Sequence, residues 1–285
     1  MLTALRAHRV QRLFVLDFGL FAVGSPYIAP GTTIGTTPSP SPTPPSRTIG
    51  IPGFLLQTDL GANILIDTGF DPAYATDYAA CDARDGLSDF GHLLDHSATR
   101  TAAGQLALLG LAPGDITALI LTHGHIDHVG ALPLFGCPVL LTKAERAEPR
   151  PSYFGSARPI GWPDVPYHCI TAETRICDGL TLIPTPGHSP GHLSLLVTLP
   201  EGAVILAADA INRRSEPAEG FADAEDPARA ATSAARLFAL QQAHAAALIF
   251  GHDPAQWPGL PKAPHPYIPH PPAVEPGTPH PGATR

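Results

Sequence analysis

Short apolar segments, each followed by Gly, Pro, Asp or His, recur along the chain. Segments of this kind are typical of buried strands. The pattern predicts a first strand over 13–23 and further strands over 63–66, 118–121, 138–141, 180–183, 203–207 and 247–250. A helix is predicted from the cap residue Ser97 to Leu109, and another begins at Asp226-Pro227 and runs to about Ala245. The mixture of strands and helices predicts an α/β fold.

The 34 prolines are about twice as frequent as in an average protein and concentrate in two segments. We predict a single domain over 10–253 that contains a Pro-rich loop insertion at 29–53. Because proline lacks an amide donor and restricts the residue before it, this loop is expected to contain neither helix nor central strand. A Pro-rich C-terminal extension over 254–285 is expected to have little core of its own, whether or not it packs on the domain.

Hydrophobic residues make up 44% of the 285-residue chain and charged residues 15%, a composition typical of a packed globule. The formal net charge is -8, from 17 basic and 25 acidic residues, and no Lys/Arg run is present. Nucleic acid and membranes are therefore not expected as partners, and a small molecule is favoured. No membrane-spanning segment or clear leader is seen, which predicts a cytoplasmic location. The four cysteines show no close pairing and are predicted to be buried free thiols.

The densest cluster of metal-ligating side chains directly follows the predicted strand over 118–121. The sequence Thr-His-Gly-His-Ile-Asp-His places His123, His125, Asp127 and His128 within six residues. Three imidazoles and a carboxylate at a strand end can converge on a metal ion without help from distant residues. A His-rich surface turn would have no reason to follow a buried strand, so a metal site is the favoured interpretation.

Three later strands are also followed by a metal-ligating residue, namely His188, Asp209 and His252. Each of these alone would more often be an ordinary polar side chain. The carboxyl ends of adjacent strands in α/β proteins face one crevice, so residues far apart in sequence can meet there. Together with the first cluster, the three positions predict one metal site.

The His-x-His-x-Asp-His motif at 123–128, with the three later positions in the same order, resembles the metallo-β-lactamase superfamily. Three segments are similar, more narrowly, to the dinuclear zinc N-acyl homoserine lactonases, which are quorum-quenching lactonases. These are Ile-Leu-Ile-Asp-Thr-Gly at 64–69, Thr-Pro-Gly-His-Ser-Pro-Gly-His at 185–192 and Phe-Gly-His-Asp at 250–253. The resemblance extends over about residues 51–253 and implies a four-layered αβ/βα sandwich with two zinc ions in a cleft.

The resemblance also implies a division of the metal ligands: His123, His125 and His188 hold one zinc ion, Asp127, His128 and His252 hold the other, and Asp209 bridges them. Iron, cobalt or manganese would suit the same ligands. A bridging hydroxide would attack the lactone carbonyl, and Asp127 is expected to shuttle the proton while it ligates. Asp67 is expected to orient a metal-bound histidine, and His192 to pack or hydrogen-bond behind the site.

Two positions depart from the lactonase pattern. Asn212 stands three residues after Asp209, where these lactonases often carry a tyrosine that hydrogen-bonds the substrate. We expect Asn212 to donate a hydrogen bond there; since losing one such donor costs about 10²- to 10³-fold in rate, the change can indicate a different substrate. Ile126 replaces a frequent aromatic residue, which predicts an acyl pocket of different shape. The loop at 29–53 is hypothesised to contact the acyl chain.

Other functions on the same scaffold stay open. The metal ligands alone do not indicate whether the substrate is a lactone, a thioester, a phosphodiester or a β-lactam. Only the segments around His188 and His252 favour a lactone. An iron-dependent sulfur dioxygenase is a further alternative. A diiron flavoprotein normally has Glu in place of His125 and an added flavin domain, which the residues after Asp253 do not match. A non-catalytic binding module is disfavoured because all seven ligand positions are filled. The expected partner is an acyl lactone, and a homodimer is compatible with the sequence.

Overall fold

The computed structural model describes residues 2–24, 47–153 and 159–270. Within them, the strands of a first sheet are β1 (Val10–Val23), β2 (Arg47–Thr58), β3 (Asn63–Ile66), β4 (Gly91–Asp95), β5 (Ala118–Ile120), β6 (Val139–Thr142) and β7 (Tyr167–Ile170). The strands of a second sheet are β8 (Thr174–Cys177), β9 (Leu180–Pro184), β10 (Leu193–Leu199), β11 (Gly202–Leu206) and β12 (Ala247–Ile249). The strand orders are β4-β1-β2-β3-β5-β6-β7 and β12-β11-β10-β9-β8.

The α-helices of the described residues lie in the connections between strands. They are α1 (Leu2–Leu5), α2 (Tyr78–Asp85), α3 (Ala102–Ala107), α4 (Ile126–Val129), α5 (Lys143–Ala147), α6 (Glu216–Glu219) and α7 (Pro227–His244). Strands β3, β5, β6 and β7 run parallel, as do β11 and β12. Their carboxyl ends therefore deliver the following loops to the same edge of each sheet.

Three apolar layers explain why the two sheets are covered by helices on their outer faces. Alternate residues of a strand point to opposite faces, so Val15 of β1 packs between the sheets while Leu16 packs behind the first sheet. Leu106 of α3 joins that second layer, and Leu237 of α7 joins a third layer behind the second sheet. The predicted four-layered αβ/βα sandwich is confirmed.

Most predicted elements are found with small shifts. The six strands predicted after the first one lie within one residue of the predicted bounds at each end, and the first strand begins earlier, at Val10. Helix α7 begins as predicted, with the Asp226 side chain accepting from the Arg229 amide. The helix predicted from Ser97 is wrong at its start: Thr101, not Ser97, caps α3, because Thr101 Oγ1 accepts from the Gly104 amide at 3.1 Å.

The predicted loop at 29–53 needs a correction. Its residues 29–46 lie outside the described residues, but 47–53 belong to β2. Strand β3 pairs with β2 only between Phe54 and Gln57, so Pro52 needs no amide donor on that side. On the other side, Pro52 lies opposite Asp17, where the register with β1 shifts. A proline is therefore tolerated in a strand that is central over only part of its length.

The C-terminal extension packs on the domain over residues 254–270, whereas 271–285 lie outside the described residues. Trp257, Leu260 and Tyr267 contact the apolar layer between the sheets. The amide of Tyr267 donates to the Leu13 carbonyl at 2.7 Å, which fastens the segment to β1.

The described part of the chain contains no helix with the length and apolar character needed to cross a bilayer. All four cysteines are free thiols, as predicted. Their burial differs from the prediction, because Cys169 is exposed on β7 and Cys137 is half-buried; only Cys81 and Cys177 are buried.

Candidate metal centre

The His-rich turn connects β5 to α4, and Asp67 holds its backbone in place. The amide and the hydroxyl of Thr122 donate to the two carboxylate oxygens of Asp67, both at 2.8 Å. Asp67 follows β3, and because β3 and β5 are parallel neighbours, the two strand ends lie side by side. His125 precedes α4, whose residues include Asp127 and His128. Strand end and helix start thus fix the direction of three candidate ligands.

Asp67 also touches a candidate ligand directly. Its backbone is in the left-handed region at φ 59°, which Asp tolerates better than most residues. In this position its Oδ2 accepts a hydrogen bond from His128 Nδ1 at 2.8 Å. With the proton on Nδ1, His128 presents the lone pair of Nε2 to the site. Asp67 therefore lies where the sequence predicts it, behind a candidate ligand.

The loop after β9 brings His188 to the site because Gly187 allows a close approach to α7. Gly187 has a φ of 142°, and a Cβ there would lie within 3.0 Å of Ala230 on α7. The Gly187 carbonyl accepts from the amide of Asp226, the residue that caps α7, at 2.9 Å. In the Pro-Gly-His sequence, the glycine is thus required for packing against α7, and the histidine is a candidate ligand.

His192 lies behind the site with both ring nitrogens in use. Its Nε2 accepts from the amide of Asp209 at 3.1 Å, so the ring proton is on Nδ1, which lies 2.9 Å from Thr185 Oγ1. Both nitrogens are therefore unavailable to a metal ion. His192 instead holds the backbone of Asp209, in the supporting position predicted for it.

Asp209 and His252 follow the parallel strands β11 and β12. Asp209 lies in the 3₁₀ turn Ala208–Ala210. The amide of His252 donates to the Asn212 carbonyl at 2.7 Å, and its Nδ1 donates to the Gly50 carbonyl at 2.9 Å. His252 Nε2 is consequently turned toward the carboxylates of the site.

The structure brings all seven predicted ligand residues together in two groups. The first group is His123, His125, His188 and Asp209, and the second group is Asp127, His128 and His252. Within each group, one ligand atom of every residue lies within 4.8 Å of the others. The carboxylate of Asp209 lies between the groups: its Oδ2 is 3.3 Å from His188 Nε2, and its Oδ1 is 3.4 Å from both His128 Nε2 and His252 Nε2.

Several atoms of the two groups are buried without a hydrogen-bond partner among the described residues. They are His123 Nε2, His128 Nε2, Asp127 Oδ1 and Asp209 Oδ1. A buried polar atom without a partner costs about 1–3 kcal/mol, so four of them in one place are unfavourable unless something binds them. Imidazole nitrogens and carboxylate oxygens are ligands that suit zinc and several other divalent metals. The donor set therefore fits metal ions.

Burial and charge act differently on the two groups. In the first group, burial lowers the pKa of His123, that of His125 to about 4 and that of His188 to about 3. In the second group, burial also opposes protonation of His252, but the neighbouring carboxylates outweigh it and raise its pKa to about 9. The pKa of His128 is raised for the same reason. At neutral pH, His125 and His188 are therefore neutral, whereas His252 is protonated as long as no metal ion is bound.

Five residues of the two groups line the floor of a cleft of about 270 Å³, namely His125, Asp127, His188, Asp209 and His252. The apolar part of its lining, called the apolar wall below, is Phe21, Val23, Ile49, Phe70 and Phe90. The polar part of the lining, called the polar wall below, includes Arg47, Asn212, Arg213, Asp223 and Glu225. Arg47 and Ile49 come from the described end of the segment that the sequence predicts as a loop. The cleft therefore suits a molecule with an apolar chain and a polar head.

Asn212 lies at the polar wall, more than nine-tenths buried. Its amide nitrogen Nδ2 donates to Glu216 Oε1 at 3.3 Å, and its backbone amide donates to Glu216 Oε2. Its Oδ1 has no partner among the described residues. The side chain thus offers an acceptor, whereas the sequence predicts a donor at this position.

A family model described as the metallo-β-lactamase superfamily matches residues 51–252. The chain belongs to this superfamily. N-acyl homoserine lactonase AttM of Rhizobium radiobacter is 31% identical over 238 residues, which cover 77% of this chain and 88% of that protein. N-acyl homoserine lactonase AiiA of Bacillus thuringiensis subsp. kurstaki is 29% identical over 221 residues, or 73% and 84% of the two chains.

Solved structures show the same metallo-β-lactamase fold. A variant of B. thuringiensis AiiA with N-decanoyl-L-homoserine bound at its active site matches with a TM-score of 0.74 and 24% identity. The match covers 90% of this chain and 99% of that one. An N-acyl homoserine lactone hydrolase with N-hexanoyl-L-homoserine bound at its catalytic metal center matches with a TM-score of 0.73 and 23% identity.

Sequence reasoning missed parts of this metallo-β-lactamase site. The aromatic residues of the apolar wall give no signal of their own, because aromatic residues in strands are usually core residues. Glu145 is buried between the two ligand loops and was also missed. Its one signal is the Thr-x-x-Glu spacing from Thr142, which predicts a helix start rather than a site.

Proposed function

We propose that this protein is a dinuclear zinc enzyme that hydrolyses the lactone ring of N-acyl homoserine lactones. The observation that carries the proposal is the position of the Asp209 carboxylate, with one oxygen toward each group of ligand atoms. A carboxylate between two cation positions is expected of a two-metal hydrolytic site. Relatives that are N-acyl homoserine lactonases support the lactone as the substrate.

The proposed ligands are those of the two groups: His123, His125 and His188 for one ion, Asp127, His128 and His252 for the other, and Asp209 for both. When bound, zinc lowers the pKa of a water molecule to about 7 and polarises a carbonyl. Asp127 has a further role in the proposal. Its Oδ1 accepts no hydrogen bond among the described residues, so this oxygen can hold the proton that the leaving alcohol takes up.

The cleft walls would orient the substrate. The lactone ring would lie on the floor, and the acyl chain would lie along the apolar wall beside Phe21 and Phe70. Each buried methylene contributes about 0.8 kcal/mol, so two further carbons should lower KM by about tenfold until the wall ends.

Asn212 would recognise the amide of the substrate. Because its Nδ2 is bound to Glu216, its free Oδ1 can accept a hydrogen bond from the substrate N–H. We therefore expect Asn212→Ala to lower kcat/KM for an N-acyl homoserine lactone by about tenfold, the value of one hydrogen bond. A simple γ-lactone without the amide should show no such loss. If kcat/KM fell equally for both substrates, Asn212 would not recognise the substrate amide.

The proposed activity is tested by following proton release during ring opening. The panel contains N-acyl homoserine lactones, simple lactones, a thioester and a phosphodiester, and metal content is measured on the same sample. Two zinc ions per chain with turnover of the acyl lactones would support the proposal. One iron per chain with oxygen uptake would instead support the sulfur dioxygenase.

Two ligand variants and a matched control make the test specific to the site. His123→Ala and His252→Ala should each lose bound metal and abolish turnover, since each removes a ligand from a different group. His92→Ala, at an exposed histidine of β4, should keep both. Near-normal rates in both ligand variants would refute the proposal.

A further inference from the structure

Glu145 is a buried carboxylate that belongs to neither ligand group. It lies in α5 and is 2% exposed. Its Oε1 accepts a hydrogen bond from the Gly124 amide at 2.7 Å, and its Oε2 accepts one from the Ser189 hydroxyl at 2.8 Å. Both carboxylate oxygens are therefore engaged by groups from two distant loops.

These two loops carry all three histidines of the first group. Gly124 lies between His123 and His125, and Ser189 directly follows His188. The two hydrogen-bond partners of Glu145 are 65 residues apart in sequence, yet they meet at one carboxylate. A single side chain thus connects the two segments whose separation sets the spacing of these three imidazoles.

The start of α5 fits tightly between the loops. Thr142 Oγ1 donates to the Gly191 carbonyl at 2.6 Å and accepts from the Glu145 amide at 3.1 Å. A Cβ at Gly191 would lie within 3.0 Å of the Glu145 backbone, and a Cβ at Gly124 would lie 2.9 Å from Glu145 Oε1. Both loops therefore have glycine where they approach this residue.

A carboxylate in this place is costly unless it is fully hydrogen-bonded. Burial raises the pKa of Glu145, while the hydrogen bonds from Ser189 and Gly124 act against that rise. Packing alone would be served by an apolar side chain. What the carboxylate adds is two acceptors at a fixed distance from each other, which an apolar residue does not provide.

We propose that Glu145 is a positioning residue that holds the His123–His125 turn and the His188 loop at the separation that zinc binding requires. The inference rests on the metal site of the proposed function. It predicts an effect on zinc affinity, because a ligand group that is not held in place must be ordered when the ion binds.

The test uses the full chain, freed of metal with a chelator and titrated with zinc against a chromophoric competitor. Glu145→Ala should weaken one of the two zinc equivalents by about 10- to 100-fold, the range for residues that orient metal ligands. Glu145→Gln should stay within about threefold of wild type, because its carbonyl can accept from Gly124 and its amide can donate to Ser189. Ser189→Ala removes only one of the two hydrogen bonds, so its zinc affinity should lie between those of Glu145→Ala and Glu145→Gln. Glu148→Gln removes a charge from the residue that follows α5 and is the matched control.

The melting temperature of the metal-free variants separates positioning from plain stabilisation. A lower melting temperature of Glu145→Ala with unchanged zinc affinity at 10 °C would overturn the inference. The inference would also be overturned if Glu145→Gln bound zinc as weakly as Glu145→Ala, because the charge of Glu145 and not its hydrogen-bond geometry would then matter. If the wild-type chain binds no zinc, the proposed metal site itself is refuted. If the wild type binds two zinc ions and Glu145→Ala binds them with the same affinity, only the positioning role of Glu145 is refuted.

Discussion

Gly50 connects the C-terminal segment to the candidate metal centre. Its carbonyl accepts the hydrogen bond from His252 Nδ1 at 2.9 Å, and its Cα faces the indole of Trp257. A Cβ added at Gly50 would lie less than 3.0 Å from three carbons of the indole, a separation that real Cβ atoms essentially never show. Gly50 has no positive φ, so this contact alone opposes an alanine.

We expect Gly50→Ala to destabilise the fold by about 1–3 kcal/mol, the usual cost of overpacking a filled space. Since 1 kcal/mol corresponds to about 2–4 °C for chains somewhat shorter than this one, Tm should fall by about 2–12 °C. Circular dichroism of the metal-free protein measures this shift. Zinc affinity should fall as well, because the Gly50 carbonyl cannot move away from the indole without leaving His252.

A double-mutant cycle with Trp257→Ala identifies the contact. Trp257→Ala alone should also destabilise, through lost packing between the sheets. In the double variant the new methyl group no longer meets a ring, so the two losses should fall short of additivity by at least about 1 kcal/mol. Gly114→Ala, where a Cβ would meet nothing within 4 Å, is the control. Additive losses, or a Gly50→Ala variant that melts like wild type, would refute the reasoning.

Three further predictions concern other buried or exposed groups. Asp67→Ala leaves His128 Nδ1 without its acceptor and should weaken zinc binding by about 10- to 100-fold in a competition titration. A thiol reagent should modify the exposed Cys169 in the native protein and Cys81 only after unfolding, as peptide mass spectrometry would show. Burial raises the pKa of Glu216 to about 7, so its contribution to stability decreases as pH rises from about 4.5 to 7. The free energy of unfolding, measured with urea, should therefore fall less between pH 5 and pH 8 for Glu216→Gln than for wild type.

The strands that could be predicted are those whose own sequence shows both the apolar run and the turn residue that ends it. Strands β3, β5, β9 and β12 are short apolar runs that end at turn residues, and each was predicted to within one residue. Strand β2 was read as a loop up to residue 53 because Pro52 follows a proline-rich run and proline lacks an amide donor. Gly53 is needed because a Cβ there would meet the ring of Phe18 on β1. That reason lies in a partner strand, so no local pattern contains it.

The same distinction applies to the site. Ligand residues such as His123 and His252 carry distinctive chemistry in their side chains, and their order after strands is visible in one sequence. Glu145 and Gly50 act through hydrogen bonds to segments far away in the chain, and only the folded structure shows those partners. The orientation of the Asn212 amide was also out of reach, because it depends on Glu216 accepting from Nδ2.

The charge difference between the two ligand groups has a consequence for metal binding. In the first group, burial keeps His125 and His188 neutral at pH 7, with pKa values of about 4 and 3. In the second group, the carboxylates outweigh burial and raise the pKa of His252 to about 9 and that of His128 as well. Because a ligating imidazole must be neutral, zinc should displace the proton of His252 in the second group and none from His125 and His188 in the first. Calorimetric titration of the metal-free protein at pH 7 in two buffers of different ionisation enthalpy counts the protons released with each equivalent. Equal release by both equivalents would show that the two groups do not differ in charge.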